Sequence, residues 1–505
     1  MFLILFTLVT LLVYFFVTYF TSKPHPKFPP GPYRWPIWGG YLQLLVENYK
    51  FPHVAMHWMA RRYNTEVLGM YMGPYPTVIA CSQASVRDML NHPNMQGRVE
   101  AFIPNKRDPD GVTRGQFFID GHRWTEQRRF MLRNLRDFGF GTRSKHFEKI
   151  MEEELRDFLD LAQSKHEEGI TKEGKVMVPP VFYAYFLNLT LEVFLGTRLP
   201  PALYHKLREF GYYSYRFVKS LDPTTGAINI TPWVRHFAPE FTGYNDLMKS
   251  NAFIKKFIWE MVQEHKDTFM SDAIRDFCDA YIKEMKEKEN TDVQHWFTDE
   301  QMVMTLWDAL FAATMTQSAT MGFVVQFLLQ YPEVQAKVRQ EVDDVIGHSR
   351  LPTLDDRKNM PYTEAVLRES MRRETIATLA LPHRCTEDTY FYGYFIPKNT
   401  MVLANLWSNN MDDSAWDNPW EFKPERHLEA DGSLKKKDLV LPFGMGKHVC
   451  SGETFARQNM FLLMAGMLQH FLFQLPEGQV MPDEKNNVPG SIVTPKYYQV
   501  HMVAR

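Results

Sequence analysis

Cysteines at pairing distance are missing from this chain. Its four, Cys81, Cys278, Cys385 and Cys450, stand far apart with no CxxC spacing. That excludes a disulfide framework and fits a reducing, cytosol-facing compartment. Charge of one sign is not in excess either: the formal net charge is −2. No basic field argues for nucleic acid, and no zinc-finger or RNA-binding signature appears. Low-complexity tracts and solenoid-spaced repeats are also absent. His53 and His57 lie at i, i+4, but without the intervening glutamate of a zinc-protease helix or a third ligand they read as ordinary histidines. What is present is length and apolar content. The 505 residues are 45% hydrophobic and 14% aromatic, ample for a large core.

One long apolar run stands out, from Phe2 to Phe20. At about 1.5 Å per residue it approaches the ~30 Å of a bilayer's hydrocarbon, so residues 1–22 are expected to be a transmembrane anchor. No Lys or Arg precedes the run and no small-residue cleavage site follows it, which argues against a cleaved signal peptide. Lys23, Lys27 and Arg34 follow, putting the body on the cytosolic side. Sequons at Asn188 and Asn229 are then expected to stay unglycosylated. Pro24, Pro26, Pro29, Pro30 and Pro32 stiffen a connector over residues 23–45, and residues 46–505 read as one large domain.

Helical periodicity dominates that domain. It predicts helices at Trp124–Leu135, His146–Ser164, Thr298–Gln330, Pro332–Ile346, Tyr362–Arg373 and Gly452–Leu472. Strand-like runs are short: Thr77–Cys81, Thr389–Phe395 and Met401–Ala404. The expectation is a mainly α fold with small β-sheets.

The chemistry concentrates in Leu441-Pro-Phe-Gly-Met-Gly-Lys-His-Val-Cys450-Ser-Gly-Glu-Thr-Phe455. Gly444 and Gly446 allow a tight turn that brings amide N–H groups near the sulfur. The following helix offers its positive N-terminus, which favours thiolate. Phe443 can shield the sulfur, and Gly452 leaves room for close packing. The bland alternative is a buried, inert cysteine. A dinucleotide fingerprint fails, because Val449 stands where its third glycine belongs.

With Phe443, Gly446, Cys450 and Gly452 in place, this loop resembles the haem-binding signature of the cytochrome P-450 family, Phe-x-x-Gly-x-Arg-x-Cys-x-Gly. The resemblance implies haem b ligated through Cys450, a thiolate that pushes electron density toward O–O cleavage. It departs at His448, where the family usually has an arginine to a haem propionate. A histidine there can still donate a hydrogen bond but is neutral much of the time near pH 7. Other motifs follow in the family's order. Trp124-Thr-Glu-Gln-Arg128 resembles the Trp-x-x-x-Arg helix, implying propionate contacts from Trp124 and Arg128. Pro382-His383-Arg384 implies a further donor at His383. Glu369-Ser-Met-Arg372 resembles the Glu-x-x-Arg helix that locks to a Pro-Glu-Arg segment, here ending at Arg426, in a structural role. Arg136-Asp-Phe-Gly-Phe-Gly141 and the proline-rich connector look like the microsomal branch of steroid, lipid and xenobiotic hydroxylases.

Asp308-Ala-Leu-Phe-Ala312-Ala313-Thr314-Met315-Thr316 is similar to the family's oxygen-activating helix, Ala-Gly-x-(Asp/Glu)-Thr. Thr316 is the candidate catalytic residue, with protons expected to pass through its hydroxyl and water. The usual acid is missing, and Met315 stands in its place. By analogy the substrate pocket draws on Ala309, Ala312, Ala313, Thr378 and Leu379, with Phe117, Phe118 and the neighbourhood of Val493. A lipophilic small molecule suits an apolar pocket beside a bilayer. No nicotinamide site appears, so electrons are expected from an NADPH-cytochrome P-450 reductase. Lys435, Lys436, Lys437, Arg128, Arg129, Arg133 and Lys447 are candidates to steer it. The function implied is monooxygenation at the endoplasmic reticulum membrane. Two alternatives stay open: a haem-thiolate isomerase or dehydratase, favoured by Met315, and a non-catalytic haem- or lipid-binding relative.

Overall fold

The structure is a computed structural model that describes residues 2–21, 25–140, 143–163, 170–172, 174–221, 227–290 and 294–505, with the side chains of residues 2–4, 16, 18–21 and 227 left aside. Helices form at each of the six places where periodicity asks for them: Gly121–Asp137, Lys145–Gln163, Asp299–Gln330, Pro332–Val345, Pro361–Arg373 and Glu453–His470. Their ends follow local chemistry. The Thr298 hydroxyl caps the Asp299–Gln330 helix by accepting from Gln301 N at 3.2 Å, and Asp299 and Glu300 in its first turn suit the helix dipole. Pro332 and Pro361 each occupy the opening position of a helix, where a missing N–H costs nothing.

The Asp299–Gln330 helix is the axis of the molecule, 32 residues long and hence about 48 Å. Tyr183–Leu195, Tyr204–Ser220, Tyr244–Thr268 and Glu453–His470 pack on it, and their apolar faces merge into one core that includes Phe186, Leu310, Val324 and Leu463. A five-stranded sheet stands to one side, in the order Val67–Met72, Tyr75–Ala80, Met401–Ala404, His383–Arg384, Gly97–Arg98. Tyr75–Ala80 and Met401–Ala404 run parallel and the other neighbours antiparallel. A four-stranded sheet joins Phe471–Gln474 and Tyr498–Ala504 to Lys175–Val178 and Thr171–Lys172. The mainly α fold with small sheets is thus present.

Two sequence expectations change in detail. Thr389–Phe395, read as one strand, is a hairpin of Thr389–Phe391 and Tyr394–Ile396. Tyr392 at φ 51° and Gly393 at φ 81° reverse the chain between them. The described part of the proline-rich connector lies along the sheet edge, with Gly69 N donating to Pro30 O and Gly40 N to Tyr71 O, and Tyr41–Asn48 is already helical. At the N-terminus Phe2–Thr21 is a helix. Among the described residues no helix is long and apolar enough to cross a membrane; Met1, Ser22 and the side chains of residues 2–4, 16 and 18–21, all within the expected 1–22 anchor, lie outside that description.

Candidate active site

The cysteine loop folds as its glycines suggest. Gly444 N donates to Leu441 O at 3.3 Å, Val449 N to Gly446 O at 3.2 Å and Cys450 N to Phe443 O at 3.0 Å. Gly446 sits at φ 74°, and a Cβ there would stand 2.4 Å from Leu90 O, so this turn admits glycine alone. Three residues later the Glu453–His470 helix begins. Phe140 stacks on Phe455 in its first turn, with ring centroids 4.7 Å apart, and covers Gly452; Gly141 lies outside the described residues. Cys450 is an exposed side chain, yet burial is the largest influence on its thiol and raises its pKa. Both hold if the surface it presents lines an internal cavity. The Gly452 amide and the Arg128 guanidinium pull the pKa back down without prevailing. Coordination to a cation is what turns such a buried thiol into thiolate.

A ring of cations and nitrogen heterocycles surrounds this loop. The Trp124 and His448 rings lie 4.2 Å apart and those of His383 and His448 5.0 Å. Arg128 Nη2 donates to Val449 O at 2.6 Å. His448 Nε2 faces Gln96 O at 3.0 Å, so that nitrogen carries the proton. Nδ1 then accepts from Arg98 Nη2 at 3.2 Å. Burial first, then Arg98, holds the His448 pKa down at about 3. His383 donates from Nδ1 to Met95 O at 2.9 Å, and burial lowers its pKa to about 4. Among the described residues the Arg98 side chain reaches Leu381 O, Pro382 O and His448 alone, and its buried Nε has no partner. Burial lowers its pKa to about 10. Among the described residues neither Arg98 nor Arg128 has an ion-pair partner. A buried cation without an ion-pair partner is expensive. The nearest carboxylate, Asp120, acts on Arg98 only from a distance because it is spent on Arg98 N and Arg384 Nη2, so this ring has room for a further carboxylate.

Between Gln301 and Leu329 of the long helix only Ala309, Ala312, Ala313 and Thr316 are half-exposed. Their i, i+3, i+4, i+7 spacing puts them on one face, which therefore opens on a cavity. The Thr316 hydroxyl donates to Ala312 O at 2.7 Å. Met315 is 1% exposed and turned away from that face.

A cavity face of small residues, a deep cysteine and an uncompensated basic ring are the parts the family signature calls for, and comparison decides the matter. The cytochrome P450 family profile matches residues 29–502. The chain belongs to the cytochrome P450 family. It is 33% identical to cytochrome P450 2B19 of Mus musculus, covering 100% of this chain and 99% of that protein. It is also 33% identical to cytochrome P450 2B2 of Rattus norvegicus over 96% of each, and 30% identical to a farnesoate epoxidase of Bombyx mori over 98% of each. The protein is thus a cytochrome P450 monooxygenase that uses haem b and acts on lipophilic substrates. The residues present fit that group. Haem carries two propionates, and the unpaired Arg98 and Arg128 are the counter-ions such carboxylates need.

In this P450 the Glu-x-x-Arg motif builds a buried network. Glu369 accepts from Arg372 Nε at 2.8 Å and Nη2 at 2.9 Å, from Arg426 Nε at 3.0 Å, from His427 Nε2 at 2.9 Å and from Lys423 N at 2.9 Å. Burial pushes the carboxyl up, but the bonds from Arg372 and His427 win and hold it at about 2. Thr378 and Val493 are buried, while Leu379, Phe117 and Phe118 are half-buried. Val493 N donates to Ile376 O at 2.8 Å, which ties the pocket's last segment to the loop carrying Thr378 and Leu379. His53 and His57 are core histidines, held neutral by burial with pKa values of about 3 and about 4.

Sequence reasoning passed over two residues. Arg98 sits on a two-residue strand, Gly97–Arg98, between Gln96 and Glu100 with no motif around it, and nothing in that stretch singles it out. Asp308 was quoted within its helix but given no task. It is 1% exposed, pairs with Arg107, and accepts from Gln116 N at 2.6 Å and Phe117 N at 3.1 Å.

Proposed function

We propose that this P450 inserts one atom of dioxygen into a steroid, lipid, hormone or xenobiotic, on electrons from an NADPH-cytochrome P450 reductase, at the endoplasmic reticulum membrane. The observation that carries this reading is the half-exposed stripe Ala309, Ala312, Ala313 and Thr316 inside an otherwise buried helix. Small side chains there leave room for a substrate, and the threonine hydroxyl provides the one polar group on the stripe. When bound, haem supplies the oxygen-activating chemistry, with Cys450 as its sulfur ligand. Arg98, Arg128, Trp124 and His383 hold its propionates. His448 serves by orienting Arg98, because both of its ring nitrogens are engaged. Phe443 and Gly444 shape the sulfur side. Thr316 keeps a proton at the cavity wall, shared with Ala312 O, and moves it through water. Glu369, Arg372 and Arg426 hold the fold beneath.

Docking of the reductase is supported by Arg129, Arg133, Lys436, Lys437 and Lys447, all exposed around the cysteine loop. Steering by such a face weakens with added salt. Anchoring by residues 1–22 is supported by the apolar run and the lysines behind it. Asn188 is 0% exposed, with both amide atoms bonded inside the protein, as suits a body that never meets the glycosylation machinery. A glycan on Asn229 would overturn that orientation.

One observation favours a second reading, a haem-thiolate isomerase or dehydratase. Met315 replaces the acid, and the neighbouring Asp308 is engaged by Arg107 and two backbone amides. Heavy-isotope dioxygen separates the two. Label in the product with NADPH and reductase supports monooxygenation; label-free rearrangement without NADPH supports the second reading. A carbon monoxide difference spectrum of the reduced protein lacking the strong red shift of thiolate ligation would sink both.

A further inference from the structure

Polar atoms without partners collect where the 107–118 loop meets the long helix. Arg107 is 3% exposed and uses Nη2 on Asp308, but its Nε and Nη1 are buried with no partner among the described residues. Gln116, 7% exposed, spends its backbone N–H on Asp308 while both atoms of its side-chain amide are unpartnered. Trp307 Nε1 is unpartnered as well, and the Arg107 guanidinium lies over the Trp307 ring at 4.2 Å and the Phe118 ring at 5.3 Å. A native fold tolerates such atoms where a ligand or ordered water completes them. The place is the pocket's edge: Phe117 and Phe118 continue the loop, and Ala309 follows Asp308 on the helix.

We propose that Arg107 and Gln116 form a polar subsite at this edge that takes the uncharged carbonyl oxygen of a lipophilic ligand; Trp307, on the helix face away from the stripe, only backs the Arg107 guanidinium. This rests on the pocket reading given above. The chemistry follows from the free groups: three donor nitrogens, Arg107 Nε and Nη1 and Gln116 Nε2, against the single Gln116 oxygen, so the ligand supplies an acceptor. Its charge follows from Asp308, which already neutralises Arg107. The neighbouring Asp108 is likewise matched by Lys255 and Arg114. A carboxylate would meet Asp308, and the nearby Arg123, which has no ion pair among the described residues, is already engaged by Gln301 Oε1, whereas a ketone or ester oxygen only needs the donors. The same donors are closed to bulk water, so an apolar ligand leaves them uncompensated and a carbonyl completes them.

Three isosteres test this in the haem-loaded, full-length protein: benzylacetone, butylbenzene and 3-phenylpropionate, each titrated by calorimetry and by the shift of the haem absorption band. Gln116→Leu removes the side-chain amide and leaves the Arg107–Asp308 pair; Arg107→Lys keeps the charge and removes the fork. Each is expected to weaken benzylacetone by about tenfold, as the loss of a buried hydrogen bond does, and to leave butylbenzene within about twofold. Equal weakening of both ligands would reduce the residues to packing and overturn the subsite. Tighter binding of 3-phenylpropionate than of benzylacetone, lost selectively in Arg107→Lys, would overturn the uncharged ligand class. If the parent protein binds none of the three, the pocket reading itself fails, a result separate from any effect of the variants. Because Gln116→Leu leaves the ion pair intact, its result stands even if Arg107→Lys does not fold.

Discussion

Replacing Glu369 by glutamine asks whether the Glu-x-x-Arg motif is a structural lock or a solvated ion pair. The carboxylate is 0% exposed, as is Arg372, and Arg426 and His427 close over it. Glutamine keeps one acceptor oxygen and turns the other position into a donor that faces existing donors. One buried guanidinium is then left without its counter-ion. Breaking a buried pair in this way costs about 3–5 kcal/mol. Linkage gives a second route to the figure. A carboxyl held at about 2, against about 4.3 for an ordinary glutamate, contributes roughly 3 kcal/mol. Its pKa is depressed in the folded state, so this stability is fully present above pH ~4.3 and disappears as pH falls toward 2. The assay is urea unfolding of parent and variant at pH 7, then at pH 3. At pH 7 Glu369→Gln is expected to be less stable by about 3 kcal/mol or more, with the gap narrowing at pH 3. A loss under about 1 kcal/mol at pH 7, the range of exposed ion pairs, would refute the reasoning.

Arg98→Ala should release haem to an acceptor globin about 10- to 100-fold faster, the worth of one or two charge-assisted bonds, with Arg98→Lys in between; unchanged release would remove Arg98 from the propionate ring. Met315→Glu should not restore an acid to the cavity. Its side chain is buried away from the open face, so the expected result is a lower melting temperature and no gain in product per NADPH. Gly446→Ala should abolish the thiolate signature in the carbon monoxide spectrum, because its Cβ meets Leu90 O. A normal spectrum from that variant would show that the turn can yield. His383 and His448 are kept neutral below their ordinary range, chiefly by burial. The unfolded chain therefore binds the extra protons, and stability should fall as pH drops from about 6.5 toward 4 while staying flat above 7.

Much of this was legible because it is local. Helix limits at Thr298, Pro332 and Pro361 are written in capping chemistry, and the cysteine loop carries its own turn. What was not legible depends on contacts between distant segments. The 389–396 hairpin is the local exception: Gly393 marks its turn in the sequence, but Tyr392 beside it also takes a positive φ without a sign of its own, and the run read as one strand. Asp308 finds Gln116 and Phe117 nearly two hundred positions earlier, and helix periodicity cannot announce such a partner. The thiol of Cys450 shows the same limit in energetic form. The Gly452 amide, part of the turn visible in sequence, does lower its pKa, as does Arg128, but the burial that outweighs them comes from the whole fold.

His448 shows how one change of residue is absorbed. Read alone, it is a weaker propionate donor whose charge would vary across physiological pH. In place, it gives its proton to Gln96 O and turns its lone pair to Arg98. The buried charge beside the cysteine loop is then carried by Arg98 and Arg128, and Arg98 Nε has no partner among the described residues. An arginine at 448 would set two guanidinium groups side by side where a lone pair now meets a donor; propionates between them would offset that repulsion, so the neutral His448 leaves the ring with one cation fewer to hold them. Burial and Arg98 lower the His448 pKa, while propionates beside the ring would raise it again, so the pH profile of haem retention reads which influence prevails at position 448.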